Sequence, residues 1–361
     1  MRFGLFYLPT YPSSIGAAPP WLLREIVDES VLAEELGFSG VWLAEHHFHG
    51  FGGVLSDPSG VGIAIASRTR RLRIGTAVTL LPYHHPLRLA EDYATLDVLS
   101  EGRLDFGVGT GFLRWENEIW DAPLETARAK FAEALDVILR VWQEEEVAFE
   151  GQFVRFPALT LLPRPVQRPH PPVWFAATAT PESFIRAGER GYHLMLIPFL
   201  HAVDELREKV GLYRDALRAA GHDPSSREIL AAYHVYVGTD RQRSRAVAEA
   251  GLQAYVSASG EIHARTSHLP VPDAFGAHTR NRSSVRTLSI DEALAQRRII
   301  AGPAAECVDV LASLREDLHL TYVAANVLLT GLEPAEVRRS MERLAADVMP
   351  RLQSVAATTE R

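Results

Sequence analysis

The feature that most constrains this chain is an alternation: a short apolar run, a break, then a longer stretch with helical periodicity, repeated as parallel α/β folds require. The runs are Arg2 to Leu8, Gly40 to Ala44, Leu72 to Thr79, Leu104 to Val108, Val173 to Ala177, His193 to Ile197, Ile229 to Val237 and Leu320 to Asn326. Between the first two, Leu23, Ile26, Val27, Val31 and Leu36 recur at helical spacing within Pro20 to Leu36, and Gly37 then fits the residue just past a helix end. Pro86 to Leu99 opens on a proline suited to a first helical turn, and Glu125 to Glu145 sets Phe131, Leu135, Ile138 and Trp142 on one stripe. Similar patterns cover Pro181 to Arg190, Val203 to Ala220, Arg241 to Val256, Ala304 to Leu314 and Pro334 to Val348. No run leads into a dinucleotide-type turn, so the repeat predicts a single eight-fold β/α (TIM) barrel over residues 1–361, not a doubly wound sheet. Two insertions stand outside it. Val147 to Arg168 reads as a hairpin with a proline-rich connection; Ser257 to Arg286, polar and without periodicity, reads as a lid or else a surface insertion.

With 361 residues, 47% apolar and 23% charged, the chain can bury a large core, and its net charge of −8 opposes a nucleic-acid or anionic-membrane partner. The basic run Arg68, Arg70, Arg71, Arg73 reads as a solvated turn. A single cysteine, Cys307, excludes an intramolecular disulfide and a cysteine-rich metal site, and its helical surroundings suit a buried thiol. Met1 to Leu8 reads as a strand, not a leader, and no stretch reaches the ~18 apolar residues of a membrane span, so a cytoplasmic protein is expected.

Barrel active sites form where strands end, and several ends here are polar or glycine-rich. Glu45-His46-His47-Phe48-His49 follows the second run, and His46 beside a carboxylate is an acid/base candidate. A metal held by Glu45, His46, His47, His49, His84 and His85 is not expected, because consecutive strand residues diverge and no known ligand spacing recurs. For His47 and His49, hydrogen-bonded or solvated loop rings are an equal reading. Gly107, Gly109 and Gly111 would admit a planar or phosphorylated ligand close to the backbone. Thr180 can cap, and Pro181 begin, a helix whose free amides suit a phosphate near Thr178, although a plain cap serves as well.

Taken together, Ala44-Glu45-His46-His47-Phe48, Arg73-Ile74-Gly75-Thr76-Ala77-Val78, His85 to Asp92 and Leu96 to Gly107 resemble the bacterial luciferase-like flavin monooxygenases. The likeness is specific from Met1 to about Gly111, recognisable over Pro163 to Leu196, and weak beyond Val237. It implies reduced FMN delivered by a separate reductase, O2, a C4a-hydroperoxyflavin and a small organic substrate, in a homodimer. It further implies His46 as catalytic, with Glu45 and His47 beside it, and a non-proline cis peptide at Ala77–Val78 under the flavin ring. Arg128 and Thr178 fall at phosphate-binding positions with Ala177 adjacent; Thr110 stands where a second phosphate arginine is common, and Gly109 where a reactive cysteine is found. A deazaflavin-dependent dehydrogenase or reductase on the same barrel, or a non-catalytic flavin carrier, remains open at this point.

Overall fold

The structure is a computed structural model describing residues 1–269, 276, 287–329 and 331–353. In chain order the strands are β1 (Arg2–Tyr7), β2 (Gly40–Leu43), β3 (Arg73–Thr76), the short β4 (Thr79–Leu80), β5 (Leu104–Gly109), β6 (Val147–Glu150), β7 (Arg155–Leu159), β8 (Val173–Ala176), β9 (His193–Leu196), β10 (Ile229–Gly238), β11 (Ile299–Pro303) and β12 (Tyr322–Asn326). Eight of them close a parallel barrel in the order β1-β2-β3-β5-β8-β9-β10-β12, the last pairing back onto β1. Each apolar run of the sequence supplies one of these strands. The sequence reading passed over β11. It pairs with the far end of β10, from His234 opposite Ile299 to Gly238 opposite Pro303, where β10 outruns its barrel neighbours.

Among the described residues the α-helices of six residues or more are α1 (Leu22–Glu35), α2 (Pro58–Arg68), α3 (Pro86–Leu99), α4 (Arg114–Ile119), α5 (Leu124–Gln143), α6 (Pro181–Glu189), α7 (Val203–Ala219), α8 (Arg241–Ala264), α9 (Ile290–Ala295), α10 (Ala304–Leu318) and α11 (Pro334–Arg343). Gly37 does take the left-handed backbone that ends α1, at φ +85°. The expected stripe of α5 is buried, with Trp142 donating its indole N–H to the Ala90 carbonyl at 3.0 Å. The helix α8 runs eight residues past Val256, so the start of the expected lid is helical; residues 270–275 and 277–286 of that segment lie outside the described residues. The hairpin is present as antiparallel β6 and β7.

Alternate strand residues face into the barrel. At the floor Trp42 meets Trp174 and Tyr322 edge to face, with ring centroids 4.9 and 5.6 Å apart. Glycine makes that floor possible, since a Cβ at Gly75 would lie 2.2 Å from Trp42. Arg73 is the exception to the solvated basic run: it points inward, and its Nε donates to Asp105 Oδ2 at 2.7 Å. Toward the mouth the inward residues turn small: Ala44, Ala77, Gly109, Ala176 and Ala232 border an open cavity instead of filling it. Cys307 is buried, as expected, and burial pushes its thiol up to about 12.

Candidate active site

Two carboxylates organise the histidines at the ends of β2 and β3. Glu116, on α4, is fully buried; its Oε1 lies 3.0 Å from His46 Nδ1 and 3.0 Å from His49 Nε2, and accepts the His47 backbone N–H at 2.7 Å. Burial alone would raise this carboxyl, but the charge and hydrogen bonds of His46 and His49 outweigh it and hold Glu116 at about 2. The carboxylate is therefore ionised, and Nδ1 of His46 donates to it, which leaves Nε2 outside that bond. Burial lowers His49, against the pull of Glu116.

Glu45 is buried behind the same strand end. Its Oε1 lies 3.0 Å from His47 Nε2 and 2.5 Å from His84 Nε2, while Oε2 accepts the Leu80 N–H at 2.9 Å. Burial raises Glu45, yet these three partners leave it below the ordinary carboxylate value; His84, which burial would lower, is raised by Glu45. Each group of three, Glu45 with His47 and His84 and Glu116 with His46 and His49, has ligand atoms within 4.8 Å of one another and could hold a metal ion. His85 takes no part: exposed, it accepts the Leu87 N–H at 3.3 Å as the cap of α3.

One cavity at the C-terminal strand ends is lined by Glu45, His46, Ala77, Val78, Thr110, Arg128 and Thr178. The Ala77–Val78 peptide is cis. Two expected residues are not in the wall. His47 turns back onto Glu45 and packs against Trp120 at 5.1 Å, and the amide of buried Ala177 donates to the Met195 carbonyl at 3.1 Å. Thr180 heads α6, but its hydroxyl pairs with Ser183 Oγ at 2.8 Å and caps no backbone amide. Sequence reading missed Glu116, together with Phe51, Phe199, His234, Tyr255 and Asn326 of the far wall. His234 and Asn326 lay within recognised strands, and inward parity with Ala232 and Ala324 was the signal available.

A family model for luciferase-like monooxygenases matches residues 1–321. The chain belongs to that family. Its relatives are flavin-dependent monooxygenases, and the expectation of an oxidoreductase holds. The oxygenase component of a flavin-dependent trigonelline monooxygenase from Acinetobacter baylyi is 26% identical, covering 97% of this chain and 95% of its own. Monooxygenase RslO1 from Streptomyces bottropensis superposes with a TM-score of 0.83 at 32% identity, covering 98% and 100% of the two chains. At 18% identity the fold alone is shared. The oxygenating constituent of Pseudomonas putida 3,6-diketocamphane monooxygenase, in complex with FMN, has a TM-score of 0.80 over 98% and 99% of the chains. An F420-dependent secondary alcohol dehydrogenase reaches 0.75 over 98% and 99%. Among the described residues no helix is long and apolar enough to cross a membrane.

Proposed function

We propose that this member of the luciferase-like family is the oxygenase of a two-component system, taking reduced FMN from a separate reductase and O2 from solution to oxygenate a small organic substrate. The observation that carries this reading is convergence: residues from five separate segments, Glu45 and His46, Ala77 and Val78, Thr110, Arg128 and Thr178, line one cavity. The cavity suits the cofactor. Small side chains at the mouth leave a slot for a flat ring, and one end offers Thr178, Thr180, Ser183, Arg128 and Arg186, donors a phosphate monoester needs. Bound reduced flavin supplies the oxygen activation. The protein's own residues bind, exclude water and move protons: Glu116 fixes the His46 tautomer, so Nε2 can accept or deliver a proton at the cavity, while Phe6, Leu8 and Phe51 keep that face dry.

Titrating the purified chain with FMN and with deazaflavin F420, followed by fluorescence, tests the cofactor; oxygen consumption with an FMN reductase tests the chemistry. FMN is expected to bind in preference, and Arg128→Ala to weaken FMN about tenfold while leaving riboflavin unaffected, because riboflavin lacks the phosphate. Preference for F420 would reassign the chain to hydride transfer. Flavin binding without substrate-dependent oxygen uptake would make it a carrier. A homodimer is the expected assembly, read by light scattering.

A further inference from the structure

We propose that the oxygen acceptor is a neutral aromatic molecule bearing a carbonyl or phenolic oxygen, held on the cavity wall opposite the phosphate end by the imidazole of His234. This rests on the flavin reading above for the identity of that phosphate end.

The barrel order separates two kinds of wall. Arg128 follows β5 and Thr178 to Arg186 follow β8, the fourth and fifth positions in the ring, whereas β10, β12 and β1 occupy the seventh, eighth and first. Of the charged carboxylates and guanidinium groups in the lining, Glu45 follows β2, Arg128 is on α5, and Glu182 and Arg186 are on α6. The far wall has none among the described residues. It is an aromatic arc instead: Phe51 packs edge-on to Tyr255 at 4.9 Å, Tyr255 to Phe199 at 4.7 Å, and the His234 ring stands edge-on to Phe199 and Tyr255 at 5.3 and 5.1 Å. Such edges and faces suit a flat ring far better than a flexible chain.

Within that arc His234 and Asn326 form a polar pair. Asn326, 3% exposed, lies opposite His234 in the β10–β12 register and presents Nδ2 to His234 Nδ1 at 3.3 Å. An amide nitrogen only donates, so Nδ1 is the acceptor and the ring proton resides on Nε2. Nε2 has no partner among the described residues, and Asn326 Oδ1 is buried without one. Burial in these apolar surroundings pushes His234 down to about 4, so the ring is uncharged at neutral pH. A neutral N–H donor in an aromatic, uncharged wall matches a neutral oxygen acceptor. It gives a carboxylate no counter-charge and a cation no anion.

Equilibrium dialysis of the full chain with four naphthalene-sized probes tests this: 2-acetonaphthone, 2-naphthol, 2-naphthoate and naphthalene. The ketone and phenol are expected to bind about tenfold tighter than naphthalene, and naphthoate no tighter than naphthalene. His234→Leu should bring ketone and phenol down to the naphthalene level without changing naphthalene itself, and His234→Gln, which keeps an N–H, should restore most of the difference. Tighter binding of naphthoate, or an equal loss for all probes in His234→Leu, overturns the proposal. FMN affinity measured on the same samples separates the two readings: absent FMN binding removes the cofactor assignment, whereas intact FMN binding with unselective probes removes only this one.

Discussion

At the scale of single residues, the proposed function turns on a carboxylate that does not line the cavity. Glu116 holds His46 by Nδ1, so the two residues should fail differently. His46→Ala is expected to keep FMN affinity while slowing oxygenation by ~10²–10⁴, the usual range for a lost acid/base group, in single-turnover measurements. Glu116→Gln leaves the imidazole and one acceptor oxygen for the three donors in place, but removes the charge and puts an amide NH2 where the unpartnered Oε2 stood. It should lower kcat at least tenfold with little change in FMN Kd; equal kcat would show that orientation of His46 does not depend on it. The histidines were legible because Glu45-His46-His47 stands at a strand end with titratable side chains together. Glu116 was not, since its bond to His46 spans 70 residues and a lone glutamate in a six-residue helix carries no pattern. His234 was hidden for another reason. An apolar run such as Ile229 to Val237 does not reveal which alternate residues face inward until its register is known.

Elements were the most readable level. Parallel strands covered on both faces must be nearly continuous in apolar residues, which is why all eight runs marked barrel strands. The short β11 escaped because Arg297 and Arg298 adjoin it and its pairing lies beyond the ring. Arg73 was misplaced for the opposite reason: a charge inside a barrel is acceptable once Asp105 answers it, and sequence spacing does not display that partner. Glycine at the floor gives an element-level contrast. Gly75→Ala forces a Cβ to within 2.2 Å of Trp42 and should destabilise the protein by about 1–3 kcal/mol in urea unfolding. Gly211→Ala, in α7 with nothing within 4 Å of the added carbon, should stabilise it by roughly 0.5–1 kcal/mol.

Across the whole molecule, imidazoles kept neutral inside the barrel lower stability in acid. Burial pushes His193, stacked on Trp174, and His234 down to about 4. A group whose folded pKa lies below its unfolded value favours the native state fully above the unfolded pKa, and that contribution fades as pH drops through the folded one. Each of these two histidines should therefore remove roughly 3 kcal/mol between about pH 6.5 and 4, opposed by Glu29, whose carboxyl burial raises to about 7 and which favours the native state as it takes up its proton, before the loss from Glu116 sets in between about 4.5 and 2. Urea midpoints across that window should flatten in His193→Gln; an unaltered slope would assign the decline elsewhere. The edge-to-face cluster of Trp42, Trp174 and Tyr322 has a kinetic consequence as well. With the bottom of the barrel plugged, whatever enters the cavity comes in at the C-terminal strand ends, so a bulky guest that arrived first would block whatever must sit deeper, and the visitors have to queue.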